Sequence, residues 1–199
     1  NAFEEFPLIG ITRAYWVGLF GSPVSQPLNP QIFFEWKFKG RCDVLRLERA
    51  INLFLAYSPT WRAVITSNGT MRVLRDTHEY RISKVYEVEA QNFEQHKLEV
   101  REQMISNGPN PHKWPLFEWR ITHQSQNQSM LHMCVSLFIM DGISDLTMRR
   151  HISMLYRDPD ALIYQPSLSY RDYCVSLSKA DGIIVNEKHK RSLAHWQEQ

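Results

Sequence analysis

Between Ile32 and Lys39 the sequence alternates, with Ile32, Phe34, Trp36 and Phe38 on one side and Phe33, Glu35, Lys37 and Lys39 on the other. A period of two is that of a pleated strand with one buried face. The stretch therefore needs a sheet to pair with and a layer to cover its aromatic side. Leu116–Thr122 repeats the pattern with Phe117, Trp119 and Ile121 on one side, and Leu131–Met140 reads as a longer apolar strand. Asn68-Gly69 separates Arg62–Thr66 from Met71–Leu74. That dipeptide signals a hairpin with a type I′ turn, which needs positive φ at both central positions. A further short strand is expected at Ile82–Val88.

Helical spacing and boundary residues supply the other elements. The first helix is expected over Ile11–Phe20, between Gly10 and Gly21-Ser22-Pro23, with Ile11, Tyr15 and Leu19 on one face. Asp43 is placed to cap a helix running to about Ala56, whose Leu47, Ile51, Phe54 and Leu55 share a stripe. A polar helix over about Gln91–Ile105 is stopped by Asn107-Gly108 and Pro109. Asp141-Gly142 leads into a helix starting at Ser144, and two more helices are expected over Ser169–Ala180 and Val185–Gln199. No repeat and no long Gly/Ser or Pro linker divides the chain, so residues 1–199 read as one unit. Helices mixed with non-local strands, without a repeating β-α rhythm, indicate an α+β sandwich.

Composition narrows the function classes. Net charge is +2 and the basic residues are scattered, so the sequence carries no electrostatic footprint for nucleic acid. Cys42, Cys134 and Cys174 are odd in number and widely spaced, which fits reduced thiols and a cytoplasmic address better than a disulfide framework. No apolar run reaches the ~18 residues of a membrane span, and the glutamates near Asn1–Pro7 do not suit a signal peptide. Asn68-Gly69-Thr70 and Asn127-Gln128-Ser129 match a glycosylation sequon, but without secretion they read as turns. His132, Cys134 and Asp141 lack a fourth ligand at a recognised spacing, so no metal site is expected. Nucleophile-elbow, P-loop and dinucleotide motifs do not occur.

Several short motifs in order carry a resemblance. They are Phe6-Pro7-Leu8 with Arg13-Ala14-Tyr15-Trp16-Val17-Gly18, Phe34-Glu35, Leu47-Glu48-Arg49-Ala50, Val73-Leu74, Trp114-Pro115-Leu116-Phe117-Glu118 and Tyr170-Arg171-Asp172-Tyr173. The series resembles the N-terminal lobe of heterocyclisation domains of nonribosomal peptide synthetases, across nearly the whole chain. It implies a chloramphenicol-acetyltransferase-like lobe, a mixed sheet flanked by helices. It also implies a Pro-rich crossover and a second, C-terminal lobe beyond Trp196, with the substrate channel between lobes. The implied partners are peptidyl carrier proteins, that second lobe and adjacent synthetase domains. The resemblance further implies that no cofactor is bound directly and that substrates arrive on the phosphopantetheine of the carriers.

Ser136 to Ser144 is where the resemblance bears on chemistry. Condensation domains carry His-His-x-x-x-Asp-Gly and heterocyclisation domains Asp-x-x-x-x-Asp-x-x-Ser, and both can be laid on this stretch with Asp141 retained. The second His then falls on Leu137, which cannot move a proton, and the first Asp falls on Ser136, which lacks a titrating carboxylate. Ser144 fits the last heterocyclisation position. Asp141 and Ser144 have a structural reading beside the functional one, as capping residues of the next helix, with Arg149, Arg150 or Arg171 as ion-pair partners for Asp141. Tyr57 and Ser58 stand where the family has Arg-His, Trp61 where it has Leu, Arg13 where it has Gln, and Leu19 where it has Arg. The altered motifs lead to the expectation of a lobe that is not active by itself. Two functions compete: half of an enzyme that condenses and cyclodehydrates Cys, Ser or Thr, in siderophore-type biosynthesis for example, and a non-catalytic module that docks carrier proteins.

Overall fold

The computed structural model describes residues 2–20, 29–125, 128–164, 166–179, 191 and 194–195. The expected terminal helix over Val185–Gln199 and the turns at Gly21-Ser22-Pro23 and Asn127 lie largely or wholly outside them. In chain order the elements are β1 (Phe6–Pro7), α1 (Gly10–Phe20), β2 (Gln31–Lys39), α2 (Val44–Tyr57), β3 (Ala63–Ile65) and β4 (Thr70–Val73). There follow β5 (Lys84–Glu87), α3 (Phe93–Ser106), β6 (Phe117–Ser125), β7 (Gln128–Ser136) and α4 (Gly142–Arg157). A further helix, α5, covers 170–179.

The main sheet has the order β2-β7-β6-β5, antiparallel except for the parallel β5/β6 pair. This is the mixed sheet flanked by helices that the resemblance implies. Its register puts Phe34 opposite Met133 and Trp119 opposite Met133, so the two alternating runs share one face with Leu131, Met133 and Val135. Leu47, Ile51 and Phe54 of α2 and Met148, Ile152 and Leu155 of α4 bury that face in a single core. Asp43 caps α2 by accepting the Arg46 N–H at 3.0 Å. Glu48 of α2 is buried, accepts the Ile82 N–H at 2.8 Å and pairs with Arg81, so one carboxylate ties the segment before β5 to the helix.

The opposite face lies under α3, where Val100 and Met104 meet Cys134. Several buried polar side chains there bond one another: Thr122 Oγ1 lies 2.9 Å from His132 Nε2 and 3.1 Å from His96 Nε2. Glu35 ion-pairs with Arg101 at 2.6 Å and approaches His132 Nδ1 at 3.4 Å. Arg120 bonds Glu118 and Gln103. Burial holds His132 down to about 4, so the ring is neutral at neutral pH.

The second sheet, β1-β4-β3, contains the expected hairpin, but its turn differs from type I′. No described non-glycine residue has positive φ, so Asn68 does not occupy the left-handed region. Instead Gly69 (φ +72°) follows a turn closed by its N–H to Thr66 O at 3.1 Å, a three-residue loop with a glycine bulge. A Cβ at Gly69 would stand 2.8 Å from the Trp16 ring, so α1 packs on the turn as well. On α1 itself Thr12 is buried and Tyr15, Trp16 and Leu19 pack against the core, so Tyr15 and Leu19 of the expected stripe are covered while Ile11 is exposed. The apolar run Leu131–Met140 is not all strand: β7 ends at Ser136, and 137–139 form a turn.

Two outcomes follow from these contacts. Gly69→Ala should cost more than about 1 kcal/mol in urea unfolding, through both φ and the Trp16 contact, and a neutral result would contradict the turn described. Because the folded pKa of His132 lies below the unfolded value, its contribution is full above about pH 6.5 and is lost as pH falls toward 4. About 2 kcal/mol should disappear between pH 7 and pH 5. His132→Phe should flatten that slope; a wild-type stability that holds or rises on acidification contradicts the burial.

Candidate functional site

Helix α4 begins where β7 and its turn release the chain. Asp141 adopts an extended conformation and caps the helix: its Oδ1 accepts the Ser144 N–H and the Ser144 Oγ–H, both at 2.7 Å. These bonds hold the Asp141 carboxyl below its ordinary range, so it is ionised at neutral pH. Among the described residues no ion pair joins Asp141 to an arginine. Arg149 instead pairs with Asp145 at 2.9 Å and lies 4.3 Å from the Trp36 ring centroid, while Arg171 pairs with Glu4 at 3.0 Å. The capping reading of Asp141 and Ser144 is therefore what the geometry displays.

The turn 137–141 forms one wall of a cavity of about 590 Å³. Facing it is the segment Tyr57–Arg62, which follows α2 and holds the departures at Tyr57, Ser58 and Trp61. Ser144, Thr147, Met148 and His151 of α4 form a third side, and Ile163, Tyr164, Pro166 and Ser169–Arg171 together with Phe3 and Phe6 contribute further surface. Phe54 binds these walls together, with Trp61 at 5.3 Å and His151 at 6.4 Å between ring centroids. Two of the motif positions that appear unrelated in sequence, 57–62 and 137–144, are thus brought to one place.

Ser136 is not part of that wall. It ends β7 on the face shared with His132 and Cys134, is fully buried, and its Oγ lies 3.5 Å from Pro30 O and 3.4 Å from Phe138 N. Strand parity turns Ser136 away from this cavity, and the half-buried residue that lines it is the neighbouring Leu137. The same parity separates His132 and Cys134 from Asp141, and among the described residues no group of three or more His, Cys, Asp or Glu side chains could hold a metal.

The polar groups of the walls are mostly engaged within the protein. Thr147 Oγ1 donates to Ile143 O at 3.0 Å, and Arg171 is held by Glu4 and Asp172. Burial raises the Tyr170 hydroxyl, which contacts Cys174 and Thr12. Burial also pushes the free thiols Cys42 and Cys134 up to about 11 and about 12, so neither is a thiolate at neutral pH. His151 was not recognised in the sequence. The signal for it is the i, i+3, i+7 spacing of Ser144, Thr147 and His151 on one helix face.

No family model matches the chain. Two curated proteins are similar to it: bacitracin synthase 1 of Bacillus licheniformis, 27% identical over 88% of this chain, and pyochelin synthetase PchF of Pseudomonas aeruginosa, 25% identical over 98%. The chain spans 3% and 10% of their respective lengths. Among solved structures, the cyclization-docking bidomain of the synthetase EpoB from Sorangium cellulosum superposes with a TM-score of 0.80 at 21% identity, covering 99% of this chain and 39% of that one. Among the described residues no helix is long and apolar enough to cross a membrane. With its fold, its ordered motifs and these similarities in agreement, the chain is homologous to the condensation and cyclisation domains of nonribosomal peptide synthetases.

Proposed function

We propose that residues 1–199 form the N-terminal lobe of a heterocyclisation-type domain that receives carrier-borne substrates but lacks the proton-transferring side chains of its motif. The observation that carries this reading is Leu137 on the cavity wall. Joining an acyl thioester to an amine moves protons off the amine and onto the leaving thiol, and ring closure followed by loss of water moves more. An isobutyl group does none of this. Asp141, bonded twice by Ser144, acts as a helix cap and fixes the turn that positions Leu137.

The similarity to a pyochelin synthetase and to a cyclization domain, together with Ser144 at the last motif position, supports the heterocyclisation branch. The partners under this reading are peptidyl carrier proteins, a second lobe and neighbouring synthetase domains, and the cofactor involvement is the carriers' phosphopantetheine. A working half-enzyme is the competing reading, favoured by retention of Asp141 and Ser144. The two separate in the parent protein, supplied with carriers loaded with an acyl group and with cysteine or serine. Mass spectrometry of the carrier-bound products should show no thiazoline or oxazoline, while titration calorimetry shows saturable carrier binding. Ring product from a parent with no second such domain, or absence of carrier binding, overturns the proposal.

A further inference from the structure

Most polar side chains around the cavity spend their groups inside the protein, and two buried nitrogens do not. They are Arg62 Nε and His151 Nδ1, both without a hydrogen-bond partner, on residues that line the cavity. A buried polar atom left unsatisfied costs about 1–3 kcal/mol, and in native proteins it commonly marks a place completed by a water or a ligand. Arg62 can only donate. His151 is different: burial, then the nearby Arg150 charge, hold its imidazole below the ordinary histidine range, so at neutral pH the ring is neutral and offers a lone pair.

Three other titratable wall groups are engaged within the protein. Asp141 is bonded to Ser144, Arg171 to Glu4 and Asp172, and the Tyr170 hydroxyl contacts Cys174 and Thr12. His151 is placed by α4 two turns beyond Ser144 and packed by Phe54, so its position depends on neither an exposed loop nor a flexible stem. We infer that His151 is a substrate-positioning residue of this cavity, its imidazole accepting a hydrogen bond from the amine or hydroxyl of a bound aminoacyl group. The inference rests on the proposed reading of the cavity as a receiver of carrier-borne thioesters. It assigns binding and orientation to His151, with no bond made or broken.

The probe is the seryl thioester of N-acetylcysteamine, with the acetyl thioester as a control that lacks both amine and hydroxyl. Nuclear magnetic resonance titration of the chain at pH 7.5 reports binding at the Trp61 and Phe138 signals and engagement at the His151 ring. The seryl thioester should shift the His151 ring signals and the acetyl thioester should not. His151→Phe, which keeps an aromatic against Phe54, should weaken seryl thioester binding by about three- to tenfold, the worth of one hydrogen bond. His151→Gln, which keeps an acceptor, should stay within about twofold of wild type. Melting curves identify any variant that fails to fold. Binding seen at Trp61 and Phe138 with an unmoved His151 signal, or with unchanged affinity in His151→Phe, overturns the role of His151 and leaves the proposed function intact. Absence of binding by either thioester overturns both.

Discussion

Strand β7 runs through the middle of the sheet with helices over both of its faces, and from Ser129 to Ser136 every one of its residues is buried. A strand in that position cannot slip by one residue, because each side chain would exchange an apolar core for a polar one or the reverse. Leu131, Met133 and Val135 belong to the α2/α4 core, and His132 and Cys134 to the layer under α3, with Ser136 on the same side of the strand. The partners enforce the division. Phe34, Trp119 and Ile121 require apolar neighbours on one face, while Glu35, Arg120 and Thr122 require hydrogen-bonding neighbours on the other. Everything about the candidate site follows from where this parity ends, at the turn after Ser136.

That turn converts a strand into a cavity wall over five residues. Phe138, Ile139 and Met140 are buried, while Leu137 is half-buried beside Tyr57–Arg62. Asp141 then stops the turn by capping α4, which in turn aims Ser144, Thr147 and His151 at the same space. The chemistry available to the cavity is set by this arrangement. Its carboxylate is committed to a helix terminus, its two motif positions hold a serine turned away and a leucine turned in, and an imidazole, that of His151, comes from α4 two turns beyond Ser144.

Much of this organisation is legible in the amino-acid order. The alternation in Ile32–Lys39 and Phe117–Ile121 identifies the shared core face, and Asp43 and Asp141 identify two helix starts by their side-chain chemistry. The Asn68-Gly69 signal locates a hairpin but not its geometry, since a three-residue bulged loop and a type I′ turn draw on the same residues. The run Leu131–Met140 misleads about the end of β7 because a buried turn lined with Phe138, Ile139 and Met140 is as apolar as a strand. The orientation of Ser136 depends on that boundary, so motif alignment identifies the position without revealing which face it occupies. His151 carries no motif at all, and only the helix face it shares with Ser144 and Thr147 distinguishes it from a core histidine.

Labelling of single introduced thiols tests the parity most directly. Cys42, Cys134 and Cys174 are free and buried, with burial raising each thiol, so the background reaction with a thiol reagent at pH 7.5 should be slow. Under native conditions Leu137→Cys should react readily while Ser136→Cys reacts only when the chain is unfolded by urea. Rapid labelling of Ser136→Cys in the folded protein, with Leu137→Cys protected, would place position 136 on the cavity and contradict the division of β7 on which the site depends.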